Sequence, residues 1–504
     1  MKLNYRASTW YKFVRLGGIL AFILSACGAL PSQNQIENRN TSPSQTPTQN
    51  LVISQPDVTT TPLPTRPAYP PGELVDYIAQ TGDTLTSLAK HFNTTKDEIL
   101  AANSFIPTDA TTMPPGMPMK IPIYYQPFWG SQYQIMPDSL FINGPAQVGF
   151  DTSSYVAQQP GWLNGYVEYA FDGNRSGAEI VDYVAKNFSI SPRVLLTLLE
   201  YQDGAMSLSV LPEGSREYPL GFHDWQHKGL YLQLVWAANL LNNAYYNWRS
   251  GELIEFDHLN GTQERPDPWQ NAASVALQYY FSRLIDGDQY ARAVAQDGFA
   301  LSYAKLFGDP WQSVTSHIPG SLSQPAFTLP FLPGLTWAYT GGPHTGFGEG
   351  EPLAAIDFAP GALASGCVPS DEWVTAVAAG VISRSEPGAV VLDLDGDDDE
   401  RTGWVVFYFH IETRDRVTAG KAVQPGDPIG HPSCEGGRTT GTHVHIARKY
   451  NGEWIPADSM IPFNLNGWIA HRGSLEYQGT LTKGGRTIVA CTCADLASQI
   501  DATK

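Results

Sequence analysis

The sequence predicts a multidomain chain: a small βααβ domain, an α-helical middle domain and a mostly-β C-terminal domain of antiparallel sheets. Three observations lead there. At 504 residues the chain exceeds what one hydrophobic core organises. With 47 glycines, 38 prolines and only 16% charged residues, it is neither a coiled coil nor a helical bundle throughout. Hydrophobic periodicity also changes, from helical spacing over about 150–320 to short β-rich runs after 326. A hydrophobic share of 42% excludes a wholly disordered chain. Counts of 31 Lys+Arg against 49 Asp+Glu, formal charge -18, deny the basic face that duplex nucleic acid requires.

Residues 1–26 read as a signal peptide. Lys2, Arg6, Lys12 and Arg15 precede an apolar run, Leu16 to Ala26, too short to span a bilayer. The run ends Leu24-Ser25-Ala26-Cys27, which resembles a bacterial lipobox. The resemblance implies that Cys27 is diacylated and becomes the N-terminus of an exported, membrane-tethered and still more acidic protein. Residues 27–73, rich in Ser, Thr, Pro, Gln and Asn, cannot offset their ordering entropy by burial, so they are expected to form a linker. Such a tether reaches about 100 Å or more.

The βααβ domain is expected over 74–124. Leu85, Leu88, Ala89 and Phe92 keep helical spacing, and Thr95 with Glu98 forms a capping box for a second helix. The unit opens with Tyr77 to Leu85, including Gly82-Asp83-Thr84-Leu85, and closes with Pro115-Gly116 to Ile121-Pro122. It resembles a LysM domain over its whole length. The resemblance implies binding of N-acetylglucosamine-containing glycans such as peptidoglycan, in a groove around Gly82, Asp83, Thr84 and Leu85 with Asn103 to Ile106 opposite. His91 is read as a helix-surface residue.

The helical domain is expected over 140–320. Ser191-Pro192 starts an apolar helix, Val194–Tyr201, and longer patterns follow at Gly229–Arg249, Trp269–Leu284 and Tyr290–Phe307. The stretch Ile190 to Gly204 resembles the catalytic helix of lytic transglycosylases and lysozymes. In the register set by Gly204, however, the general-acid position is Gln202, which cannot protonate a leaving oxygen. Glu200 lies about 200° of helix away. The expectation is a glycan-binding or spacer domain without chemistry.

The third domain, 326–470, carries strand patterns at Trp373–Ser383, Ala389–Leu394, Trp404–Ile411, Lys421–Ile429 and His443–Arg448. Three histidine-bearing pieces stand out: Gly341-Gly342-Pro343-His344 followed by Ile356-Asp357-Phe358, Tyr408-Phe409-His410-Ile411, and Thr442-His443-Val444-His445. Residues two apart on a strand share a face, so His443 pairs with His445, and Tyr408 is expected beside His410. Two imidazoles and a carboxylate can hold zinc with a position left open for water, whose pKa falls to about 7.

This constellation resembles the lysostaphin-type peptidoglycan metalloendopeptidases over about 330–460. The resemblance implies His344, Asp357 and His445 as zinc ligands and His410 and His443 as catalytic imidazoles. One of these would act as general base and the other would steady the oxyanion. One departure is that His344 precedes Asp357 by 13 residues, a wider gap than the family's, with Gly- and Glu-rich residues between them. A loop insertion accounts for it, with Glu349 or Glu351 as substitute ligands. His431 is read as a turn residue at the cleft rim. Asp393 to Glu400 loosely resembles a calcium loop, but its glycine sits in the wrong place, and a solvated hairpin tip is expected.

Besides Cys27, four cysteines remain: Cys367, Cys434, Cys491 and Cys493. Export implies disulfides. A Cys491–Cys493 bridge reads as strained, so Cys367 and Cys434 are each expected to join one tail cysteine and tie down 471–504. The whole is expected to be a monomeric wall hydrolase cutting peptide bonds in peptidoglycan. The alternatives are a silent wall-binding scaffold or activator, and a bifunctional enzyme with glycosidase activity in the helical domain.

Overall fold

The computed structural model describes residues 66–171, 173–312, 314–361, 365–493 and 495–502. The expected signal peptide, the acylated Cys27 and the tether as far as residue 65 lie outside them. All described residues belong to one compact unit.

The small domain pairs β1 (Glu73–Ile78) antiparallel with β2 (Pro118–Ile123), with α1 (Leu85–His91) and α2 (Lys96–Ala102) between them. Both helices start at capping boxes, Thr84 with Ser87 and Thr95 with Glu98, so orphan N–H groups at each start are satisfied by side chains. Leu85, Leu88, Phe92, Ile99 and Ile121 form its core.

The middle domain runs through α3 (Asp138–Phe141), α4 (Thr152–Ala157), the hairpin β3 (Val167–Ala170) and β4 (Gly173–Ser176), α5 (Gly177–Phe188), α6 (Pro192–Asp203) and α7 (Leu230–Ser250). It continues with the hairpin β5 (Phe256–Asp257) and β6 (Gln263–Glu264), then α8 (Ala272–Ser282), α9 (Gly287–Ala293) and α10 (Phe299–Phe307). Pro192 opens α6 as expected, although the Ser191 hydroxyl makes no cap bond. The helix expected over 290–307 is broken: at Gly298 the chain passes so close to Arg292 that a Cβ would strike its carbonyl. The helix expected from Trp269 starts three residues later, because Asp267 accepts from Trp269 N–H at 3.0 Å and holds a turn there.

The third domain contains β7 (Thr336–His344), β8 (Ala355–Pro360), β9 (Val374–Thr375), β10 (Gly380–Glu386), β11 (Gly388–Asp393), β12 (Trp404–Ile411), β13 (Ala422–Val423), β14 (Pro428–Gly430), β15 (Val444–Tyr450) and β16 (Glu453–Trp454). After these come β17 (Asn464–Leu465), β18 (Trp468–Arg472), β19 (Gly479–Lys483), β20 (Arg486–Val489) and β21 (Gln499–Asp501). The main sheet runs β13-β10-β11-β12-β15-β8-β7-β21, antiparallel throughout. Two expected strands are each split: 373–383 yields β9 and β10, and 421–429 yields β13 and β14 around a turn held by Asp427.

The sheet's faces differ in what covers them. Tyr408, Val444, Ile446 and Phe358 point into the domain's own core. Phe407, Ala447 and Trp454 join one apolar cluster with Phe188, Tyr245 and Tyr246 of the helical domain. Each buried aromatic there contributes about 2–3 kcal/mol.

The expected disulfide pattern is corrected. Cys367 pairs with Cys434, Cα atoms 5.8 Å apart, and Cys491 pairs with Cys493 at 5.1 Å. A two-residue step in this tail does bring the Cα atoms within bridging range. The tail is tied instead by strand pairing: β21 aligns with β7, and Tyr339 N–H donates to Ser498 O at 2.8 Å.

A buried ionic cluster joins all three domains. Arg249 lies 3.1 Å from Asp138 and 3.2 Å from Glu453, and it donates to Tyr245 and to the Thr81 carbonyl. His317 meets Glu453 at 2.6 Å. Burial alone would raise the Glu453 carboxyl, but Arg249 and His317 outweigh it and hold the pKa at about 2, against an ordinary 4.5. A depressed carboxylate stabilises the fold above its unfolded pKa and loses that contribution as pH falls through the folded value. Glu453→Gln is therefore expected to cost about 3 kcal/mol at pH 7. The gap to wild type in denaturant midpoint should close as pH drops from about 4.5 towards about 2. A gap that stays constant over that window would assign the loss to packing instead.

Candidate metal centre

Three neighbouring strands set the site. His344 ends β7, Asp357 sits in β8 and His445 in β15, with His445 directly opposite Asp357 and Asp357 opposite Gly341. His344 Nε2 is 3.3 Å from Asp357 Oδ1, His445 Nδ1 is 3.4 Å from it, and the two nitrogens are 2.9 Å apart. Bonds of about 2.0–2.1 Å to a tetrahedral ion give ligand separations of about 3.3–3.4 Å. The triad matches that figure along two edges and is tighter along the third.

The hydrogen bonding argues for a cation. His344 Nδ1–H donates to Gly342 O at 2.8 Å, and His445 Nε2–H donates to Gly346 O at 3.1 Å. A carbonyl only accepts, so the remaining nitrogens face each other as lone pairs. Asp357 Oδ1 is buried with no hydrogen-bond partner. A divalent ion satisfies all three atoms at once. Burial alone would raise the Asp357 carboxyl, but the His344 and His443 imidazoles hold it well below the usual carboxylate range. His344 is raised because Asp357 outweighs burial, and His445 is lowered by burial.

His410 and His443 flank the triad. His443 Nδ1–H donates to Gly441 O at 2.8 Å and its Nε2 lies 3.7 Å from Asp357 Oδ1. His410 Nδ1–H donates to Glu435 O at 2.9 Å, and its ring centre is 4.6 Å from that of His443. Burial, helped by the neighbouring imidazoles, lowers the His410 pKa to about 3. The expected pairing of Tyr408 with His410 on one face is corrected. Tyr408 points into the opposite core, where its OH accepts from Val377 N–H at 2.8 Å. His410 has φ +62° beside a register shift between Gly388 and Ala389, and this bulge turns its ring towards His443.

The wide gap between His344 and Asp357 is the expected loop, and neither Glu349 nor Glu351 joins the triad: Glu351 accepts from Leu353 N–H at 2.9 Å. Two neighbours escaped sequence reasoning. Tyr477, far along the chain, stacks on His344 with centres 4.2 Å apart, and Gly341 leaves room for the Asp357 carboxylate that a Cβ would strike. Only the Gly-Gly pair before His344 hinted at the second. His431 is buried against Trp373, its Nδ1–H donating to Glu372 O at 2.9 Å.

The other candidates lie elsewhere. In the small domain Asp83 accepts from Tyr77 OH and Gln80 N–H, each at 2.7 Å, Thr84 caps α1 and Leu85 is core, so these side chains serve the fold. Burial raises the Asp83 pKa to about 6. Gly82 packs on Arg249, and Asn103 binds the Lys120 backbone. Residues 318–322 bond to the loop between β1 and α1 and to the loop between α2 and β2: Ile318 N–H donates to Thr81 Oγ1 at 3.0 Å, and Thr112 Oγ1 donates to Pro319 O at 2.7 Å. His91 is half-buried on the surface of α1, its ring stacked on Trp248 with centres 3.5 Å apart. Glu200 accepts from Met206 and Ser207 N–H at 2.8 and 3.1 Å, closing the turn after α6, while Gln202 packs beside Gly221. Asp393, Asp395 and Asp397 also converge, but Asp393 already accepts from the Asp395 and Asp398 N–H groups at 3.2 and 3.0 Å.

Residues 77–122 match the LysM domain family, and residues 134–321 match the family described as LasA, N-terminal domain. Protease LasA of Pseudomonas aeruginosa (strain UCBPP-PA14) is 26% identical over 355 residues, covering 65% of this chain and 77% of that protein. The beta-lytic metalloendopeptidase of Achromobacter lyticus is 29% identical over 167 residues, 32% of this chain and 39% of that protein. Among solved structures, the M23 metalloprotease pseudoalterin from the deep sea is 26% identical with a TM-score of 0.29, covering 33% of this chain and 96% of that one.

Proposed function

We infer that this chain, a LysM-bearing relative of the LasA and beta-lytic M23 metalloendopeptidases, is a cell-wall hydrolase that cleaves peptide bonds of peptidoglycan while its LysM domain holds the wall. The observation that carries the reading is the convergence of His344, Asp357 and His445 with Asp357 Oδ1 left unpartnered in a buried pocket.

The donor set, two imidazoles and one carboxylate, suits zinc. Zinc held there would supply a Lewis acid that acidifies water and polarises the scissile carbonyl. The chain's own residues do the rest. Gly342 O and Gly346 O fix which nitrogen of His344 and of His445 faces the ion. Burial keeps His410 neutral, and its Nδ1–H is committed to Glu435 O, so Nε2 is left to accept a proton from the attacking water. His443, whose Nδ1–H is committed to Gly441 O, would steady the developing oxyanion through Nε2 in its imidazolium form. Export by residues 1–26, anchoring through a diacylated Cys27 and action as a monomer complete the proposal.

Muropeptide analysis of peptidoglycan treated with the full chain is the test. New free amines that vanish with a chelator and return with zinc are the expected outcome. New reducing or anhydro sugar ends would assign the activity to the helical domain, and unchanged wall would make the chain a scaffold.

A further inference from the structure

The loop 345–352 between the first two triad residues is fastened at both ends of a chain of contacts. At its inner end, Gly346 O receives the His445 Nε2–H bond at 3.1 Å, and Gly346 N–H closes the loop onto Pro352 O at 3.0 Å. Phe347 sits edge-on to both Phe409 of the sheet and Phe188 of α5, with ring centres 5.6 and 5.2 Å away.

At its outer end the loop meets α7. Asn239 Oδ1 accepts from Glu349 N–H at 2.9 Å and Asn243 Oδ1 accepts from Glu351 N–H at 2.8 Å. Asn243 Nδ2 also donates to Glu349 O at 3.3 Å. The two asparagines are four residues apart, so one helix face presents both. The loop is shaped for them. Gly348 and Gly350 take φ +93° and +80°, and a Cβ at either would strike Asn239 or Asn243. Two glycines alternating with two bonded amides thus match two asparagines one turn apart.

We propose that Asn239 and Asn243 are positioning residues for the metal centre: by holding this loop they fix the Gly346 carbonyl, and through it the His445 ring. The helical domain thereby sets how tightly the triad binds its ion. This rests on the metal reading above. An outer partner of a metal-bound histidine is worth about 10–100-fold in affinity, and these residues act one contact further out, so about 3–10-fold is expected.

Zinc alone, titrated into the full chain against a competing chelator dye, tests the proposal. Asn239→Ala/Asn243→Ala should raise the zinc Kd about 3–10-fold, speed amide exchange at Glu349 and Glu351, and lower kcat with KM unchanged. Gly348→Ala should reproduce the loss. Asn239→Asp keeps the acceptor oxygen and should retain the wild-type Kd. A double variant with lowered denaturant midpoint but wild-type zinc Kd would overturn the proposal, as would an Asn239→Asp chain as weak as Asn239→Ala. Failure of the wild type itself to bind zinc would remove the metal reading, and the proposal with it.

Discussion

His445→Ala is expected to lower kcat/KM on peptidoglycan by about 10³-fold or more, with metal content falling below one ion per chain. In the proposed centre His445 is one of three protein ligands, and its Nδ1 stands 2.9 Å from His344 Nε2 and 3.4 Å from Asp357 Oδ1. Without it two ligands remain, too few to hold the ion or a defined geometry. The ring also fills space beside Phe407 and Phe409, so some stability is lost as well. Metal content by mass spectrometry separates the two effects, because a folded variant that keeps a full complement of zinc and its rate would sink the ligand assignment.

Loss of the second imidazole should act on rate and leave the metal in place. His410 occupies a left-handed backbone conformation that alanine tolerates poorly, so asparagine is the appropriate replacement. His410→Asn is expected to reduce kcat about 10²–10⁴-fold, the usual worth of a general acid or base. Zinc content and denaturant midpoint should stay close to wild type, since the ring is 6.3 Å from His445 between centres and is not one of the ligands. A loss below tenfold would exclude His410 as the proton acceptor.

Much of the site is legible in residue order because antiparallel strands impose a period of two. His443 and His445 are one such pair, and Asp357 lies opposite His445 by register. The facing of His410 fails for the same physical reason: a bulge inserts one residue and reverses it, and nothing in Tyr408-Phe409-His410 announces the bulge. The loop after His344 is legible as an insertion, but its partners are not, since Asn239 and Asn243 lie more than a hundred residues upstream on another domain. The disulfide pattern differs from expectation because strand pairing, not covalent bridging, secures the tail. In the small domain, the order of elements and both caps follow from local chemistry, whereas the coverage of its loops depends on a segment some two hundred residues away.

That last segment has a mechanical consequence. Residues 318–322 are fixed to the chain on either side and touch Thr81, Thr111 and Thr112. Their bonds to Thr81, Thr111 and Thr112 tie the small domain to the stretch of chain that leads into the third domain. A pull on the small domain is therefore passed directly into the segment that enters β7 rather than being absorbed by slack between them.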